Sequence, residues 1–225
     1  MTSEEPAGGE RTTVGRLVFS GNLDFERVVF FSDAVFAIAI TLLVVDLPVK
    51  VASGTAVESG HELRTAVPDI ESFLISFAVI GLFWIGHHSI FRYVTAFNRQ
   101  LILLNLLFLG TIAFLPYPTQ VLGTTSDQAP AVIFYAACCS AAGIAEGAVW
   151  LYATRPGSGL AGLATPRVRR STLLQIGRIP LIFLLSIPVA LVSPTWATLT
   201  WILILVLSLM LRRIAPADEL HEAAD

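Results

Sequence analysis

Charge is scarce in this chain. Lys, Arg, Asp and Glu together make up 14% of its 225 residues, against about 25% in an average soluble domain. Hydrophobic residues reach 55% and mean hydropathy is +0.74, so the composition points to a bilayer rather than to water. A net charge of −3 is too small to recruit nucleic acid, and no nucleic-acid partner is expected. Cysteine is nearly absent: Cys138 and Cys139 stand side by side in an apolar run. That spacing builds neither a disulfide framework nor a metal site, and both read as small packing residues. The opening stretch, MTSEEPAGGERTTVGRLVFS, lacks an apolar core and a small-residue cleavage site. It reads as a disordered cytoplasmic tail over 1–22, not as a cleavable signal peptide.

What the chain does have is long apolar runs. A helix needs about 20 mostly apolar residues to cross about 30 Å of hydrocarbon, and six segments qualify: 28–48, 70–91, 100–120, 130–153, 173–192 and 195–212. None alternates apolar and polar residues as a transmembrane strand must. The expected fold is therefore all-α, a polytopic six-helix membrane domain over 23–213 with a cytoplasmic tail at 214–225. The first helix then serves as an uncleaved insertion signal. Pro180 and Pro188 fall inside the fifth span and are expected to kink it. "SPT" alone joins the fifth and sixth.

Basic residues orient the bundle. Arg11, Arg16 and Arg27 precede the first span, and Arg92 and Arg99 follow the second. Arg155, Arg167, Arg169 and Arg170 follow the fourth, and Arg212 and Arg213 the sixth. The alternate loops hold only Lys50 and Arg64. Excess Lys and Arg marks cytoplasmic loops, so both termini are expected on the cytoplasmic side of the cell membrane.

The first span raises a question. "RVVFFSDAVFAIAITLLVVDLPV" (27–49) carries Arg27, Ser32, Asp33 and Thr41, none of which a plain anchor needs. At 100° per residue Ile38, Leu42, Val45 and Val49 share one narrow stripe, with Thr41 and Asp46 on its flanks. Arg27 lies about 9 Å along the axis from Asp33, too far for an ideal pair within one helix. A carboxylate in a bilayer needs a partner. "FWIGHHSIFR" offers Trp84, His87 and His88 near the cytoplasmic end of the second span, at the depth of Asp33 in an antiparallel neighbour. A His–Asp or Trp–Asp hydrogen bond would lower the cost of burying the carboxylate. Adjacent histidines point about 100° apart on a helix, which makes a metal or haem site a weak reading.

Arg27-x-x-x-Phe31-Ser32-Asp33 followed by "AVFAIAITLLVVDL" resembles the first helix of the transmembrane protein 175 family. That family comprises the lysosomal potassium channel and its bacterial relatives. The likeness extends to Trp84-x-x-His87-His88 and to "FLPYPTQVL" (114–122). It implies a single-repeat bacterial member, in which four copies of the first helix surround a central pore in the plasma membrane. The resemblance assigns the closing residue to Ile38, further apolar constrictions to Leu42 and Val45, and a selectivity layer to Thr41. Asp46 falls near the outer mouth. Arg27, Phe31, Ser32, Asp33, Trp84, His87 and His88 would brace the pore helix. The implied activity is a potassium leak with modest preference over sodium and no cofactor, K+ being the permeant ion. Homotetramer contacts and lipid are the implied partners.

No "TVGYG" occurs in the chain, so selection must come from side chains in a narrow pore rather than from a carbonyl cage. Proton permeation is one alternative. A proton-coupled secondary transporter is another, with Glu146, Asp33 and the histidines as a relay, but no paired interrupted helices support it. An enzyme would need a nucleophile–base pair, and none accompanies His87 or His88. Glu146 in span four and Arg178 in span five stay open between a structural pair and a water-filled crevice.

Overall fold

The computed structural model describes residues 18–19, 22–45, 47 and 67–201. Asp46, both terminal tails apart from 18–19 and 22, and the sixth span after 201 lie outside these described residues. The elements in order are β1 (Val18–Phe19), α1 (Asn22–Val45), α2 (Val67–Phe91), β2 (Phe97–Asn98), α3 (Arg99–Phe114), α4 (Pro116–Thr124), α5 (Ala129–Ala153) and α6 (Pro166–Val192). Residues 194–201 begin a further helix. Among the described residues, five helical segments are long and apolar enough to span a membrane, with α3 and α4 together forming the third. The protein is an all-helical, multi-pass membrane protein.

One helix start and one short strand depart from the sequence expectation. The helix α6 begins at Pro166, seven residues before the expected 173. Its arginines suggested a loop, yet Thr165 accepts a hydrogen bond from the Val168 amide and Pro166 takes the first turn, where a missing N–H costs nothing. Val18 and Phe19, expected in a disordered tail, instead pair antiparallel with Asn98 and Phe97. The strand β2 leads straight into α3, whose first turn is capped by the Asn98 side chain accepting from the Leu101 amide at 2.8 Å. The fifth span runs helical through Pro180 and Pro188, and Ser193 alone separates it from the next helix.

The helix α1 packs on α2 and α3, while α5 lies between α3 and α6. Tyr135, Trp150, Phe83 and Phe108 sit fully inside. At Gly143 an added Cβ would lie 2.6 Å from the Pro180 Cδ, so α5 and α6 meet at near backbone contact. The amides of Thr95 and Ala96 both donate to the Leu160 carbonyl. That contact joins the segment before β2 to the loop between α5 and α6. Arg92, Arg99 and Arg155 therefore stand near one another at one end of the bundle.

Candidate pore helix and its buried brace

The helix α1 has two faces of different character. Ser32, Phe36, Ala39 and Leu43 recur at helical spacing and are all buried against the bundle. On the opposite side Ile38 is 59% exposed, Leu42 43% and Val45 73%, and Thr41 is exposed between them. Across its spanning window α1 is only 22% buried, against 56% for α5. Among the described spans, the most apolar helix is thus the one its own chain covers least. The edge singled out in the sequence is not part of the subunit's core.

Thr41 has a local constraint. Its hydroxyl donates to the Ile38 carbonyl at 2.9 Å. The one hydroxyl hydrogen is used within the helix, so the oxygen's remaining capacity is to accept, or to meet a cation.

At the other end of α1 a polar cluster fixes the helix to its neighbours. The Ser32 hydroxyl donates to the Val28 carbonyl at 2.9 Å, which leaves its oxygen as acceptor for the Asn105 Nδ2 at 3.0 Å. Asn105 then turns its Oδ1 toward the His87 Nε2, 2.9 Å away. The direction of each bond dictates the next, and His87 must carry its hydrogen on Nε2. All three side chains are buried. One relay ties α1, α2 and α3 together inside an apolar shell, with Phe91 stacked on the His87 ring at 4.2 Å and Phe36 at 5.6 Å.

Asp33 is held separately. Trp84 Nε1 donates to its Oδ1 at 2.9 Å, a bond strengthened by the acceptor's charge. His88 faces away from His87 and lies beside the Trp84 ring, with centroids 5.8 Å apart. Arg27 is exposed and Phe31 is 52% exposed, so neither enters the buried relay. The structure thus brings together Ser32, Asp33, Trp84 and His87. It adds Asn105, which sequence reasoning missed.

The residues of this cluster coincide with a family-level match. The model for "Endosomal/lysosomal potassium channel TMEM175" matches residues 27–116, the stretch that holds α1, α2 and α3. A potassium channel of Streptomyces collinus is 40% identical over 146 residues, covering 63% of this chain and 68% of that protein. The chain belongs to the TMEM175 family. It is a member of an ion-channel family and not an enzyme.

Two further likenesses bear on this TMEM175 chain. The crystal structure of a lysosomal potassium-selective channel TMEM175 homolog from Chamaesiphon minutus superposes with a TM-score of 0.72 at 27% identity, covering 84% of this chain and 98% of that one. The endosomal/lysosomal proton channel TMEM175 of Gallus gallus is 37% identical over 116 residues, covering 47% of this chain but only 23% of that protein. The resemblance read from R-x-x-x-F-S-D therefore holds at the level of family and fold.

Proposed function

We propose that copies of this chain assemble around α1 into a potassium-conducting pore in a bacterial plasma membrane. The observation that carries this reading is the exposure of Ile38, Thr41, Leu42 and Val45 on one edge of a helix whose other face is fully packed. A single such helix encloses no channel, so several copies must share a symmetry axis, and the family resemblance gives four. The names of the Streptomyces and Chamaesiphon relatives support potassium as the permeant ion.

In this reading, rings of Ile38, Leu42 and Val45 form apolar constrictions that resist wetting. The ring of Thr41 oxygens, with their hydrogens turned back to the helix, replaces part of the ion's hydration. Potassium gives up its water more readily than sodium, so a partly dehydrating ring favours it modestly. Asp46, next in sequence to Val45 and outside the described residues, would concentrate cations at the outer mouth. The Ser32–Asn105–His87 relay and the Asp33–Trp84 bond brace the helix at its cytoplasmic end. Gathering of Arg92, Arg99 and Arg155 at that end supports a cytoplasmic location for both termini. Lipid covers the remaining apolar surface, and no cofactor is required.

The name of the Gallus relative supports a second reading, in which protons also permeate. Purified protein in planar bilayers separates the two. With unequal KCl and NaCl across the membrane, the reversal potential is expected to move toward the potassium equilibrium value. It is expected to stay put when a pH gradient is added at symmetric KCl. A reversal potential that tracks the pH gradient favours the proton reading. A saturable flux that needs a second solute makes the protein a transporter and ends both.

A further inference from the structure

Glu146 lies on α5, away from the pore edge, and is 1% exposed. Its Oε1 has no hydrogen-bond partner among the described residues. A charge so placed is costly unless something compensates it. The carboxylate reaches toward α2 at Gly86, where an added Cβ would lie 2.5 Å from Oε1. Any side chain at position 86 would therefore displace it.

Between α2, α5 and α6 the carboxylate borders a cleft of about 30 Å³, lined also by Ser89, Gln175, Ile176 and Arg178. A cavity needs on the order of 10–15 Å³ of such space to hold a water, which needs two to four polar partners when buried. The cleft is edged by such partners. Arg178 uses its Nε for a long bond to the Gln175 carbonyl, 3.4 Å, and a guanidinium carries four further N–H donors. Ile176 is four residues before Pro180, which has no N–H to give the Ile176 carbonyl. A carboxylate oxygen without a donor, a carbonyl without its helical donor and a guanidinium with donors to spare all belong to residues around one space large enough for water. The near-backbone contact of Gly143 with Pro180, three residues from Glu146 on α5 and two from Arg178 on α6, fixes the separation of α5 and α6 there.

We infer that this cleft binds a single ordered water that joins the Glu146 carboxylate of α5 to the Arg178 guanidinium of α6, a water-bridged ion pair inside the spanning bundle.

A double-mutant cycle on the full-length protein in detergent tests this, with thermal midpoint as the readout. Glu146→Gln and Arg178→Gln are each expected to lower the midpoint by several degrees, and the double variant no further than the worse single. Additive losses, a rise with Glu146→Gln alone, or two silent singles overturn the pair. An experimental map of the unmutated protein at a resolution that shows waters tests the bridge without depending on variants that fold. Density within hydrogen-bond distance of both Oε1 and the guanidinium is expected. A carboxylate packed dry, or one in direct contact with Arg178, contradicts it.

Discussion

Replacing Asn105 by leucine is expected to cost this protein about 1.5–4.5 kcal/mol of stability. The side chain serves two buried groups at once, donating to the Ser32 Oγ and accepting from the His87 Nε2. Leucine fills much of the volume but satisfies neither. His87, left buried without its partner, costs about 1–3 kcal/mol, while Ser32 keeps its bond to the Val28 carbonyl and loses one ordinary hydrogen bond, about 0.5–1.5 kcal/mol. His87 is the worse affected, because its ring is buried and enclosed by Phe36, Phe91 and Phe108. The thermal midpoint of the purified protein, followed by size-exclusion chromatography, should fall well below that of the parent. Adding His87→Phe to Asn105→Leu should recover part of the loss, since exchanging both partners for apolar groups of similar shape is close to neutral. An unchanged midpoint in the Asn105→Leu protein would show that the relay does not brace α1.

Asn105 also marks where the sequence stopped being readable. Ser32, Asp33, Trp84 and His87 were legible because polar residues in hydrocarbon stand out, and because two recognisable motifs contain all four of them. Asn105 lies in "LILLNLLFLG", where one amide among leucines looks like a tolerated exception. Its importance depends on which face of α3 meets α1 and α2, and helical periodicity does not supply the register between helices. Geometry across helices also chose Trp84 over either histidine as the Asp33 donor. By contrast, the early start of α6 was written locally. Thr165-Pro166 is a helix-start signal, outweighed by the run of arginines after it. Phe31 shows the opposite limit: it belongs to the motif, yet its side chain points away from its own subunit.

The second large effect concerns conduction. Ile38→Asn is expected to raise potassium current at a given protein density by on the order of tenfold, the equivalent of about 1.4 kcal/mol off the barrier. Ile38 belongs to the exposed edge of α1, and in the proposed pore a ring of its side chains forms the narrowest apolar layer. Such a layer opposes conduction by expelling water, and an amide of similar size wets it without widening the backbone. Discrimination between potassium and sodium should fall at the same time, because a hydrated ion then passes with less dehydration. Leu74→Asn on α2, also exposed in the subunit, serves as the comparison and should leave the current unchanged. Equal effects at both positions would mean that general loosening of the bundle, not wetting of a ring, raises the current.

Everything functional here depends on the Ile38–Leu42–Val45 edge meeting copies of itself. Cysteine cross-linking in native membranes reads this directly. In a chain with Cys138 and Cys139 replaced by alanine, Ile38→Cys places identical thiols around the axis, and a disulfide forms only where Cα atoms come within about 4.4–6.8 Å. Oxidation is expected to yield covalent dimers with Ile38→Cys and none with Leu185→Cys on the exposed face of α6. A purely monomeric product from Ile38→Cys, or dimers from both positions in equal measure, would contradict a pore built on α1.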